Sequence, residues 1–141
     1  MILVDTNVLV DVLQDDPDWA DWSERQLARA AASGPVIVNP VVYAELAPLY
    51  PDPSRLDQAL EALAISVEEM PKEAWFLAGK AHHAYRCRGG TRIGVLSDFF
   101  IGAHAVVAQI PLLTRDPRRY RRDFPSMALL TPDTNQPESK P

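Results

Sequence analysis

The chain has 141 residues, a formal net charge of −5 and a single cysteine, Cys87. That is the size of one domain burying roughly two thirds of its unfolded surface, so it needs no disulfide staples, and one cysteine can form none within the chain. No apolar run approaches the ~20 residues of a membrane helix, and Asp5 breaks the apolar start where a secretory leader would continue, so a soluble cytoplasmic protein is expected.

Ile2-Leu3-Val4 is fully apolar, as for a strand buried on both faces. Asp5 and Thr6 offer a helix cap, and Val8 to Leu13 reads as one or two helical turns. Pro17 suits the first turn of a helix. Trp19, Trp22, Leu27, Ala30 and Ala31 recur near helical spacing, which predicts an amphipathic helix over 17–32. That period makes Trp19 and Trp22 core residues, although aromatics also suit a partner's groove. Val36-Ile37-Val38 reads as a second buried strand, and Pro40 opens a helix to about Leu49. A helix at about 54–63 and a short strand at Ile65 to Val67 follow. Residues 72–86 read as a long helix with Trp75, Ala78, Ala81 and Tyr85 on its core stripe, ended by Gly89-Gly90. A helix over 97–109, a strand at Leu112-Leu113, a turn at Asp116-Pro117 and a last strand over Met127 to Leu130 complete the series. Short apolar strands separated by helices predict an α/β fold. One domain over residues 1–131 would hold a central parallel sheet of four to five short strands with helices on both faces. The polar, proline-containing tail 132–141 is expected to be disordered.

Charge is distributed unevenly. Residues 1–24 carry seven acids and no lysine or arginine, whereas residues 86–122 carry eight of the 14 basic residues, all arginine, against only Asp98 and Asp116. The planar guanidinium fork suits phosphate; a solvated basic face is the plain alternative.

In an open α/β sheet, ligands bind beyond the carboxyl ends of the strands. Asp5 ends the first predicted strand and Asp116 follows Leu113 by three residues. Asp98 starts an apolar helix, and Glu45 sits within another, Val41 to Leu46. Each has an ordinary role open to it. Asp5 suits an N-cap, Asp98 a first-turn acid beside Ser97, Asp116 a turn before Pro117 and Glu45 a solvated face. Together they suit a hard, oxygen-seeking cation such as Mg²⁺, which can generate hydroxide and neutralise charge on a phosphoryl oxygen. His82, His83, His104 and Cys87 lack zinc spacing. His82 and His83 read as surface residues, His104 lies across its helix from Asp98, and Cys87 shows no nucleophilic partner.

Four segments carry a family resemblance. Met1 to Asp11 (MILVDTNVLVD) resembles the opening of PIN-domain proteins, especially the VapC-like toxins of bacterial toxin–antitoxin pairs. Tyr43-Ala44-Glu45-Leu46, Ser97 to Ala105 (SDFFIGAHA) and Leu112 to Asp116 (LLTRD) resemble their later motifs, in family order. The resemblance implies a PIN fold and Mg²⁺- or Mn²⁺-dependent cleavage of RNA. It would make Asp5, Glu45, Asp98 and Asp116 the metal-binding catalytic carboxylates, with Thr6 and Thr114 supporting them. It also implies a homodimer and a small VapB-like antitoxin that blocks the site. Tyr120 stands where such toxins often carry phenylalanine, a variation expected to leave the metal site intact. Asp11 reads as a surface or supporting residue. Arg115, Arg118 and Arg119 are candidates to bind substrate phosphates, with plain solubility as their other role.

Two rivals remain open. A haloacid-dehalogenase-type phosphatase would also begin with a strand ending in Asp, but it needs a second Asp where Asn7 stands and a catalytic lysine, of which only Lys72, Lys80 and Lys140 are available. A catalytically silent PIN-like binding module would keep the fold without turnover.

Overall fold

The computed structural model describes residues 1–92 and 95–132. The apolar runs become five parallel strands: β1 (Ile2–Val4), β2 (Val36–Val38), β3 (Ile65–Val67), β4 (Leu112–Leu113) and β5 (Leu129–Leu130). Their order is β3-β2-β1-β4-β5. The inner strands β1, β2 and β4 are buried along their whole length, whereas the edge strand β3 exposes Ser66 and Val67. Helices cover both faces, because right-handed crossovers place them on opposite faces when the chain reverses direction along the sheet.

The helices are α1 (Thr6–Leu13), α2 (Ala20–Ser33), α3 (Pro40–Leu46), α4 (Pro53–Ala62), α5 (Lys72–Cys87), α6 (Leu96–Ala108) and α7 (Arg118–Asp123). A 3₁₀ turn, Ala47–Leu49, extends α3. Side-chain caps start three of them. Asp5 accepts from the Thr6 amide, Asn39 from Val42 and Asp52 from Arg55, at 2.7, 2.9 and 2.9 Å. Pro40 and Pro53 fill first-turn positions where a missing N–H costs nothing. Among the described residues, no helix is long and apolar enough to cross a membrane.

The structure departs from the sequence expectation in four places. First, α2 begins at Ala20, not at Pro17. The Asp16 carboxylate accepts from the Asp18 and Trp19 amides at 3.0 and 2.8 Å and holds that stretch as a turn. Second, the buried stripe of α5 is Ala74, Ala78 and Tyr85, and Trp75 is 52 % exposed; small residues let α5 lie closely along α6. Third, α7 was not anticipated, because four of its six residues are arginine and conceal the buried Tyr120 among them. Fourth, β5 begins at Leu129. The tail expected to be disordered lies outside the described residues from Asp133 onward.

Two contacts hold the elements that bear the site. His104 on α6 is buried, and its Nδ1 lies 3.1 Å from Asn39 Nδ2. The Asn39 oxygen is occupied by the Val42 amide, so its NH₂ group donates and His104 Nδ1 accepts. Burial lowers the His104 pKa, which keeps the ring neutral for that role. Gly102, also on α6, is where α7 docks. A Cβ there would come within 2.5 Å of the Phe124 ring and 3.2 Å of Tyr120. Gly102→Ala is therefore expected to destabilise the fold by about 1–3 kcal/mol, read as a lower urea midpoint. An unchanged midpoint would mean that Phe124 does not rest on α6.

Candidate active site

The chain leaves β1 for β2 and β3 on one side and returns to β4 on the other. The reversal between β1 and β4 parts the connecting segments, and a crevice opens at the carboxyl ends of the strands. A cleft of about 490 Å³ lies there, with Asp5, Glu45, Asp98 and Asp116 all in its lining. Arg92, Arg115, Arg118, Arg119 and Arg122 also line it. Asp5 follows β1, Glu45 comes from α3, Asp98 from the first turn of α6, and Asp116 from the turn between β4 and α7.

Asp5 is the deepest of the four, only 5 % exposed. Its Oδ1 accepts from the Thr6 amide at 2.7 Å. Its Oδ2 accepts from the Thr114 hydroxyl at 2.8 Å and the Tyr120 phenol at 2.9 Å. Burial, with a smaller push from the charge of Asp98, raises its pKa to about 6 against those hydrogen bonds. The Tyr120 phenol is itself pushed well up, by burial and then by Asp5 and Asp98, so it remains a donor.

The other acids are more open, and each has a partner. The Thr6 hydroxyl donates to Glu45. Arg119 Nε reaches Asp98 Oδ2 at 3.2 Å. Burial raises the Asp98 pKa, Arg119 opposes this, and Glu45 and Asp116 add to it. Arg118 lies 3.5 Å from Asp116, with both side chains largely exposed. The Asp116 amide donates to Thr114 Oγ1 at 3.1 Å. Thr6 and Thr114, named from sequence as supporting residues, thus bond directly to the carboxylates.

Other side chains stand apart from their expected places. Asp11 is not on the surface: it is 1 % exposed and accepts from Ser23 at 2.8 Å. Arg115 grips it with two bonds, Nε at 2.7 Å and Nη2 at 2.9 Å, and its guanidinium lies over the half-buried Trp19. Trp22, by contrast, is buried in the core as its helical spacing predicts. His82 is half-buried against Tyr85 and Phe99, and Cys87 does have a neighbour, His83 Nε2 at 3.3 Å. The site roles of two residues escaped sequence reasoning. In sequence, Tyr120 is only a variation on the family pattern, in an arginine-rich segment to which no element is assigned. Asn7 bridges Thr114, at 3.3 Å, and the Arg115 amide, at 3.4 Å. Its position two residues after Asp5 was the available signal.

The donor set is all oxygen and acidic, which fits a hard cation such as Mg²⁺. The mutual repulsion of Asp5, Asp98, Glu45 and Asp116 is what such a charge offsets. Among the described residues no three acid, histidine or cysteine side chains already surround one point. Mg²⁺ keeps several waters, so one or two direct carboxylates suffice.

A family model described as PIN domain matches residues 2–125. Solved structures share the fold. VapBC2 from Rickettsia felis, bound to a DNA fragment from its promoter, is 19% identical with a TM-score of 0.70, over 93% of this chain and 98% of that one. VapBC-1 from nontypeable Haemophilus influenzae is 18% identical with a TM-score of 0.68, over the same shares, 93% and 98%. FitAcB from Neisseria gonorrhoeae is 22% identical with a TM-score of 0.62, over 94% and 98%. No curated protein matches in sequence.

Proposed function

The chain belongs to the PIN domain family, and from that premise we propose that it is a Mg²⁺-dependent endoribonuclease, the toxin of a toxin–antitoxin pair. The observation carrying this reading is the convergence of Asp5, Glu45, Asp98 and Asp116, from four separate segments, on one arginine-lined cleft at the carboxyl ends of the strands. Held by Asp5 and Asp98 directly and by Glu45 and Asp116 directly or through water, Mg²⁺ (or Mn²⁺ in its place) would supply charge neutralisation at the phosphoryl oxygen and an acidified water.

The chain's own residues do the rest. The Thr6 amide, Thr114 and Tyr120 fix the Asp5 carboxylate, so that little reorganisation is needed during reaction. Glu45 and Asp116, the exposed pair, face the solvent side, where they can take a proton from an attacking water or return one to the leaving oxygen. Arg118 and Arg119, with Arg92 and Arg122, draw the RNA backbone into the cleft. Arg115 also lines it, but its fork is already engaged by Asp11.

The protein partner belongs to the same reading. One solved structure that shares the fold is a toxin–antitoxin complex from Klebsiella pneumoniae, and a small antitoxin together with a second copy of the chain is the assembly we propose in the cytoplasm. Trp75, Phe76 and Leu96, 52 %, 71 % and 44 % exposed, offer apolar surface for such contacts. A catalytically silent member of the family is the second reading. The internal partner that each carboxylate holds favours it.

Cleavage of total cellular RNA by the purified chain separates the two. Discrete cuts are expected with Mg²⁺ or Mn²⁺ and none with EDTA, and Asp98→Asn should slow them by about 100-fold or more. An intact, metal-loaded chain that cuts nothing would leave the silent reading standing.

A further inference from the structure

The cleft arginines differ in what they touch. Arg118 is 86 % exposed beside an exposed Asp116, and such a pair holds little. Arg119 is different. Its side chain is only 11 % exposed, its Nε lies on Asp98 Oδ2, and its guanidinium lies over the Tyr85 ring, 5.5 Å from the centroid. Its Nη1 is buried with no hydrogen-bond partner. Arginine stays charged at any working pH, so this guanidinium is a permanent cation lodged on one of the four acids.

A divalent ion arriving at Asp98 therefore meets a carboxylate that already holds a positive charge, and ion and guanidinium compete for it. Tyr85 supplies a platform along which the flat guanidinium can slide without leaving an aromatic face. The unpartnered Nη1 marks the present position as incompletely satisfied. A phosphate would satisfy it through a two-pronged, charge-assisted contact.

We propose that Arg119 is the resident counter-cation of the site: it holds Asp98 in the metal-free chain, yields that carboxylate to the divalent ion on loading, and is thereby released to bind the substrate phosphate. This rests on the nuclease reading and adds to it an order of events. Arg119 is a gate on metal loading first and a phosphate ligand second. The two roles pull a substitution in opposite directions, which a structural role or simple phosphate binding does not.

Mn²⁺ binding, followed by the electron paramagnetic resonance of the free ion, tests it without activity. Arg119→Gln should bind Mn²⁺ roughly five- to tenfold more tightly than the wild type, while its RNA turnover falls. Arg119→Lys, which restores the charge, should bring Mn²⁺ affinity back toward the wild type. In the unmodified protein, the Arg119 Nε–H signal in a nitrogen–proton correlation spectrum should shift when Mg²⁺ is added, so the test does not depend on the variant folding. Equal or weaker Mn²⁺ binding by a folded Arg119→Gln, or an unmoved signal at saturating Mg²⁺, overturns the proposal and leaves the nuclease reading intact. If neither wild type nor variant binds Mn²⁺, both fall.

Discussion

Asp5→Asn should be more stable than the wild type in EDTA at pH 8 and should lose metal-dependent cleavage entirely or nearly so. Burial, with the charge of Asp98, raises the Asp5 carboxyl from 3.8 to about 6 in the fold. A group raised on folding supports the fold when protonated. That support is complete below about 3.8 and is lost as the pH rises through about 6. At pH 8 the ionised carboxylate therefore costs the metal-free fold about 3 kcal/mol. Asparagine avoids this cost but gives up one of the hydrogen bonds that Asp5 accepts, worth about 1 kcal/mol. A net gain of about 1–2 kcal/mol is expected, several degrees in melting temperature. The gain should shrink as the pH falls from 6 toward 4. With Mg²⁺ the order should reverse, because only the wild type gains from binding the ion. RNA cleavage should drop by about 10³-fold. Thermal melts of both proteins across pH, with Mg²⁺ and with EDTA, read all of this. A variant no more stable than the wild type at pH 8 in EDTA would show that the hydrogen bonds of Thr6, Thr114 and Tyr120 fully offset the burial.

The second large effect is at Arg115, and it is on stability. The Asp11 carboxylate is 1 % exposed and takes both prongs of Arg115, whose side chain is 30 % exposed. Arg115→Met would leave that charge buried with the Ser23 hydroxyl as its remaining side-chain hydrogen-bond donor among the described residues. Removing one partner of a buried pair costs 3–5 kcal/mol, and partial exposure of the arginine brings the expected loss to about 3 kcal/mol. Arg115→Met with Asp11→Leu should recover most of it, since an apolar replacement of both partners leaves no orphan charge. Urea unfolding of the single and double variants measures the cycle. The competing role, a contact to RNA phosphate, would leave the urea midpoint in place and flatten the salt dependence of RNA binding.

These two residues show where sequence reading succeeds and where it stops. Asp5 was legible because its signal is local: an apolar three-residue strand, a capping acid, then a helix. Glu45, within a helix, Asp98, at the start of one, and Asp116, three residues past a strand, were singled out through motifs in family order, and all four acids line one cleft. Arg115 could be read from the sequence as a candidate phosphate contact but not as the partner of Asp11, 104 positions away in the chain.

The sequence by itself determined the inner strands, the helices that begin at Asp5, Asn39 and Asp52, and the acids that stand at the carboxyl ends of the sheet. Hydrophobic period and capping act between neighbours, so a reader of neighbours can find them. Only the tertiary structure decided that Trp75 faces outward, that an arginine-rich segment folds as a helix over Gly102, that Tyr120 reaches Asp5, and that each carboxylate carries its own internal partner. Those outcomes depend on which surfaces the sheet order brings together and on which charges can find a partner once water is removed, and neither is written in the spacing of residues along the chain.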